Sequence, residues 1–102
     1  MMNEEIRELT QRFDNVILAV LGPLRLSKQV DRDALAELKS VLDGFLTVLR
    51  DEEYVPRKLV GDLWDVFCSM LAEADHAKDP QAIRREAWEI QEQLRRIFGP
   101  EW

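Results

Sequence analysis

Glu73 and His76 carry the spacing in this chain of 102 residues that points most directly to a metal. A Glu-x-x-His pair shares one helix face, and two such pairs with two further glutamates hold paired iron or manganese inside helical bundles. His76 is the one histidine present, so a single chain cannot complete that site. The pair reads instead as a solvated helix end, where a histidine suits the negative pole of the helix dipole. Nucleophilic chemistry meets the same shortage, because Cys68, Ser27, Ser40 or Ser69 would each need an adjacent base. Cys68 also falls about 120° from the centre of its helix's apolar arc, at ~100° per residue, which is a boundary position. Asp62 and Asp65 pair at i,i+3, but acid–base work needs a cleft that no spacing here implies. The four glycines stand apart at 22, 44, 61 and 99, so there is no loop to cradle a phosphate and no Cys-His zinc pattern. The expectation is a protein that is not an enzyme and holds neither cofactor nor metal.

The remaining aromatic and charged side chains take their places from four expected helices, at about residues 4–21, 32–52, 56–77 and 80–98 of a single domain, 1–102. The third is the organising element. Leu59, Val60, Leu63, Trp64, Val66, Phe67, Met70, Leu71 and Ala74 fill an arc of roughly 160° on it, a face wide enough to need several neighbours. The first helix takes Asn3 as N-cap, carries Ile6, Leu9, Phe13, Val16, Ile17, Val20 and Leu21, and is stopped or kinked by Gly22-Pro23. Leu18 points away from that stripe, so this half-helix is expected deep in the bundle or under another subunit. Leu24 and Leu26, in the connection, are expected to tuck against the core. Asp31 caps the second helix with Val30 stapled onto Leu35, and Gly44 marks either a close approach of another helix or a glycine that is merely tolerated. Pro56 takes the first position of the third helix, with an acidic group near Arg57 and Lys58 to offset cations at a helix start. Asp79-Pro80 starts the fourth helix and Gly99-Pro100 ends it. There is no strand pattern. Short connections favour antiparallel neighbours, hence an all-α, up-down-up-down four-helix bundle, dimerising through the first or the fourth helix.

The net charge of −6 and a pI near 4.8 disfavour nucleic acid and anionic membranes, both of which select a Lys/Arg excess, and favour a basic partner. From Lys78 to Trp102 there are five positive and five negative charges. That balance suits a salt-bridged solvent face, with Arg85 to Glu89 and Glu92 to Arg96 at i,i+4. The longest unbroken apolar run, Val16 to Leu21, is short of the ~18 residues of a membrane span. With no signal-peptide pattern and a lone cysteine, a cytoplasmic location is expected.

The features left over suit protein contacts. Trp88 lies ~140° from Ile83, off the stripe of Ile83, Ala87, Ile90, Leu94 and Ile97, and tryptophan is the residue type most enriched in binding hot spots. With Arg84, Arg85 and Arg95 it forms one candidate patch. Asp51, Glu52, Glu53 and Tyr54 form the second, an aromatic anchor beside dense negative charge in the connection before Pro56. This stretch, in Asp51, Tyr54 and Pro56, resembles the immunity proteins of DNase colicins, which neutralise a basic nuclease with acidic residues and tyrosines just before a proline. The resemblance covers six residues of 102; the tyrosine pair is Tyr-Val here, and a long apolar helix follows Pro56. It implies an inhibitor or immunity-type binder of a basic protein. The competing expectation is a regulatory bundle that takes an apolar small molecule among Phe45, Trp64, Phe67 and Met70, with Gly44 and Gly61 opening the space.

Overall fold

The computed structural model describes residues 4–101, and the Asn3 cap lies outside them. Four helices follow in order: α1 Glu4–Ser27, α2 Arg32–Leu49, α3 Arg57–Ala74 and α4 Pro80–Phe98. Local chemistry starts and stops them. The Asp31 carboxylate accepts the Ala34 amide at 3.0 Å and that of Asp79 accepts the Ala82 amide at 3.2 Å, caps worth about 1 kcal/mol each. At the end of α4, Gly99 takes φ 119°, open to glycine but not to side-chain-bearing residues, and its amide donates to the Arg95 carbonyl at 2.8 Å.

The helices pack as a square in which α1 touches α2 and α3, and α4 touches α2 and α3, leaving α1/α4 and α2/α3 across the diagonals. Ion pairs and a side-chain hydrogen bond mark the directions. Lys28, just past the end of α1, meets Glu73 near the end of α3 at 2.6 Å, while Lys39 with Glu86 at 2.9 Å and Asp43 with Gln93 at 3.0 Å join α2 to α4 in rising order. So α1 runs parallel to α3 and α2 to α4, and the directions alternate along the chain. The residues between α2 and α3 cross a diagonal of the square. Among the described residues every buried side chain is apolar, with Phe13, Phe45, Leu38, Leu42, Leu63, Met70, Ile90 and Leu94 fully enclosed. Such a core supplies the dominant stabilising term of the fold.

Several sequence expectations are corrected. Gly22-Pro23 neither ends α1 nor starts a loop; the helix runs on to Ser27. Pro23 removes the donor that would serve the Ala19 carbonyl, and Ala19 is solvent-exposed, where water can take that role. Because the helix continues, Leu24 and Leu26 stand about 200° apart on it. Leu24 is fully buried, whereas Leu26 is 90% exposed and does not reach the core. Leu18, 74% exposed, is not deep in the bundle either. Helix α2 stops at Leu49 rather than residue 52, consistent with the acids of Asp51 to Glu53 opposing the negative end of a helix dipole. Pro56 is the cap of α3 and not its first residue: its ψ of 129° is extended, and its carbonyl accepts the Val60 amide at 3.2 Å. At the other end α3 closes at Ala74, where the amides of His76 and Ala77 donate to Glu73 and Ala74 carbonyls three residues back, a tightened final turn. The expected close approach at Gly44 is present, since a Cβ there would lie 2.7 Å from Leu9 Cδ2 of α1.

Candidate functional site

The third and fourth helices carry the aromatic surface. Phe67 lies on the edge of α3's apolar arc that turns toward α4, and it is buried, at 4% exposure. Trp64, one turn earlier, sits with its ring centroid 5.3 Å from that of Phe67, and Trp88 of α4 reaches the same ring at 5.6 Å. Tilted contacts at these separations are favoured by the ring quadrupoles. Trp64 and Trp88 remain 42% and 51% exposed, so two tryptophans flank one buried phenylalanine along the outer α3/α4 seam. Sequence periodicity placed Trp64 with the interior. It sits at the margin of the ~160° apolar arc, where a single helix's pattern cannot tell a buried edge from an open one.

Arg84 lies between these rings and the end of α3, where its guanidinium pairs with Asp75. Together with Gln81, Arg85, Trp88, Glu89 and Glu92 it lines an open groove of about 450 Å³ along the outer face of α4. Arg85 is exposed, and Arg95 is 3.9 Å from Glu92 at i,i+3. The expected i,i+4 pair of Arg85 with Glu89 is displaced, because Glu89 turns to Lys39 of α2.

The sequence candidates therefore separate into two places. Asp51, Glu52, Glu53 and Tyr54 are all exposed on the connection between α2 and α3, Tyr54 at 85%. That connection shares a bundle end with the last turn of α4 and hence with Arg95. Arg84 and Arg85 start the same helix, and at ~1.5 Å per residue Arg85 stands roughly 20 Å along the axis from Gly99. Near the acidic connection, Lys58 pairs with Asp62 at 2.6 Å. That hydrogen bond and charge, with Asp14 of α1 adding to them, hold the Lys58 ammonium above the ordinary lysine value, so the acid expected beside the start of α3 is there.

The residues weighed for chemistry are engaged elsewhere or far apart. Glu73, the would-be metal ligand, accepts a hydrogen bond from Lys28 that holds its carboxyl below the ordinary glutamate value. No group of three His, Cys, Asp or Glu side chains suited to a metal ion occurs among the described residues. Cys68 is half-buried at the core boundary, as its helical position implies. Phe45 and Met70 are fully buried and packed in the common core. The space at Gly44 is filled by Leu9, and Gly61 faces open solvent.

Fold and surface together define a four-helix bundle with one open aromatic seam, and no described helix is long and apolar enough to cross a membrane. Compared with protein families, curated proteins and solved structures, the chain finds no match in any of the three.

Proposed function

We propose that this chain is a non-enzymatic, cytoplasmic protein-binding module that docks through the Trp64 and Trp88 seam, with Asp51 to Tyr54 as a second contact. The observation that carries the reading is the pair of half-exposed tryptophans held by Phe67. Their apolar area is fixed in place before binding, so little ordering entropy opposes contact, and tryptophan and arginine at the centre of an interface dominate its affinity. The net charge of −6 and the exposed acidic connection favour a basic partner, which an inhibitor, immunity-type or regulatory protein would meet by electrostatic attraction. Its own copy is another occupant for the seam. Since Arg84 and Arg85 lie toward one end of the bundle and Asp51 to Glu53 at the other, an antiparallel pair of copies would set each acidic end near its neighbour's arginines.

Partner capture from the source cell, with the mass of the assembly measured, tests this. Trp88→Ala is expected to weaken capture by tenfold or more, on the order of 2 kcal/mol, with the helical circular dichroism spectrum unchanged. Tyr54→Ala and raised salt weaken a basic partner's association rate most. Capture that survives both substitutions and high salt sinks the reading.

A further inference from the structure

The end of the bundle opposite Asp51 to Tyr54 carries a different chemistry. Here the turn after α1 and the turn after α3 face each other across a recess of about 580 Å³, beside the first turns of α2 and α4. Its polar lining holds the cations Lys28, Arg32 and Lys78, the imidazole of His76 and one acid, Asp79. That acid is occupied, because its carboxylate caps the Ala82 amide.

The bases are less occupied. Lys28 is held by Glu73 at 2.6 Å and by the Arg25 carbonyl at 3.0 Å. Arg32 reaches Glu86 at 3.0 Å, but Glu86 also has Lys39 at 2.9 Å, so Arg32 can turn away without stranding that carboxylate. Lys78 has no carboxylate partner among the described residues, whereas His76 lies close enough to Glu73 to act on its charge. Lys78, without a counter-charge, and Arg32, which can be released, stand with Lys28 against the single lining acid Asp79 and leave the recess a net positive lining. The parallel run of α2 and α4 brings two helix N-termini to this rim, each already capped by an aspartate, Asp31 and Asp79. Half-buried Val30 and buried Ile83 give the recess an apolar wall. A volume of about 580 Å³ is that of a small-molecule site rather than of an ion alone.

We infer that this recess binds a small organic phosphate ester, its phosphate taken by Lys78, His76 and Arg32 and its carbon skeleton lying on Val30 and Ile83. The site is separate from the tryptophan seam and does not depend on the partner proposed for it. Flexible lysines and a forked guanidinium suit a phosphate, which offers several acceptor oxygens at once.

The test is titration of the full chain with adenosine monophosphate and, separately, inorganic phosphate, followed by amide chemical shifts. Expected are saturable shifts confined to residues 27–32 and 76–83, with adenosine monophosphate binding the more tightly. Lys78→Gln and Arg32→Gln should each weaken it by about five- to tenfold, and Lys58→Gln, at the opposite end, should leave it unchanged. No saturable shift by about 10 mM ligand, an equal loss in all three variants, or binding no tighter than that of phosphate would overturn the assignment.

Discussion

The two flanks of α4 are closed in opposite ways. Toward α2 the helix offers Glu86, Glu89 and Gln93, and α2 answers with Arg32, Lys39 and Asp43. The Gln93 amide also donates to the Lys39 carbonyl at 3.1 Å. Toward α3 it offers Trp88, and α3 answers with Phe67 and a second tryptophan that leaves both indoles half in water. One flank satisfies its own charges, so a partner has little to gain there. The other holds apolar surface that folding has only partly buried, and removing such surface from water drives association.

The largest effect expected from testing this contrast comes from Phe67→Ala. Removing the buried ring beneath both tryptophans should destabilise the fold by about 3–5 kcal/mol and release the indoles, visible as a lower urea midpoint and a shifted tryptophan emission. If the emission stays fixed, the seam is not built on Phe67.

On the polar flank, Lys39→Met is expected to cost about 1–2 kcal/mol. It leaves Glu86, whose side chain is 13% exposed, with the exposed Arg32 alone. Adding Glu86→Gln should restore part of the loss. A neutral Lys39→Met would mean that packing, and not charge, closes this side.

Acid should find the same flank next. Burial pushes the Glu86 carboxyl up, but hydrogen bonds and charge from Lys39 and Arg32 outweigh it and hold the group below the ordinary value of 4.5. A carboxyl lowered in the folded state stabilises above the unfolded value, and this stabilisation disappears as pH falls from about 4.5 through the folded value. Burial likewise opposes the charge on Lys39, while Glu89 and Glu86 raise it above 10.5. Its contribution is complete below 10.5 and is lost only as pH climbs through the higher folded value. Glu86→Gln should flatten the acid limb of a stability–pH curve, and an unchanged limb would show that other carboxyls govern it. Arg32→Gln should be the smallest change, within about 0.5 kcal/mol, because its side chain is 70% exposed and Glu86 keeps Lys39. A larger loss would show that Glu86 needs both cations.

What could be read from sequence was local. Asp31, Asp79 and Gly99 act through neighbours within four residues, so their caps were legible, and so were the core stripes at helical spacing. Gly22-Pro23 misled because its effect depends on whether the Ala19 carbonyl faces water, which is a tertiary property. Lys39 could not be linked to Glu86 or Glu89, 47 and 50 residues away, until the adjacency of α2 and α4 was known. The same holds for the recess between the two turns. Trp88 was legible as lying off the stripe of its own helix, whereas Trp64 needed the position of α4 to reveal which side of it stayed open.

The diagonal crossing between α2 and α3 gives the molecule a seam of another sort. Each hairpin, α1 with α2 and α3 with α4, presents its oily side to the other, and a single tether, Arg50 to Pro56, is the covalent joint between them. Severed there, the halves become two separate molecules with every non-covalent reason to reunite. At high concentration a half has no means of distinguishing its own former mate from the identical half of a stranger.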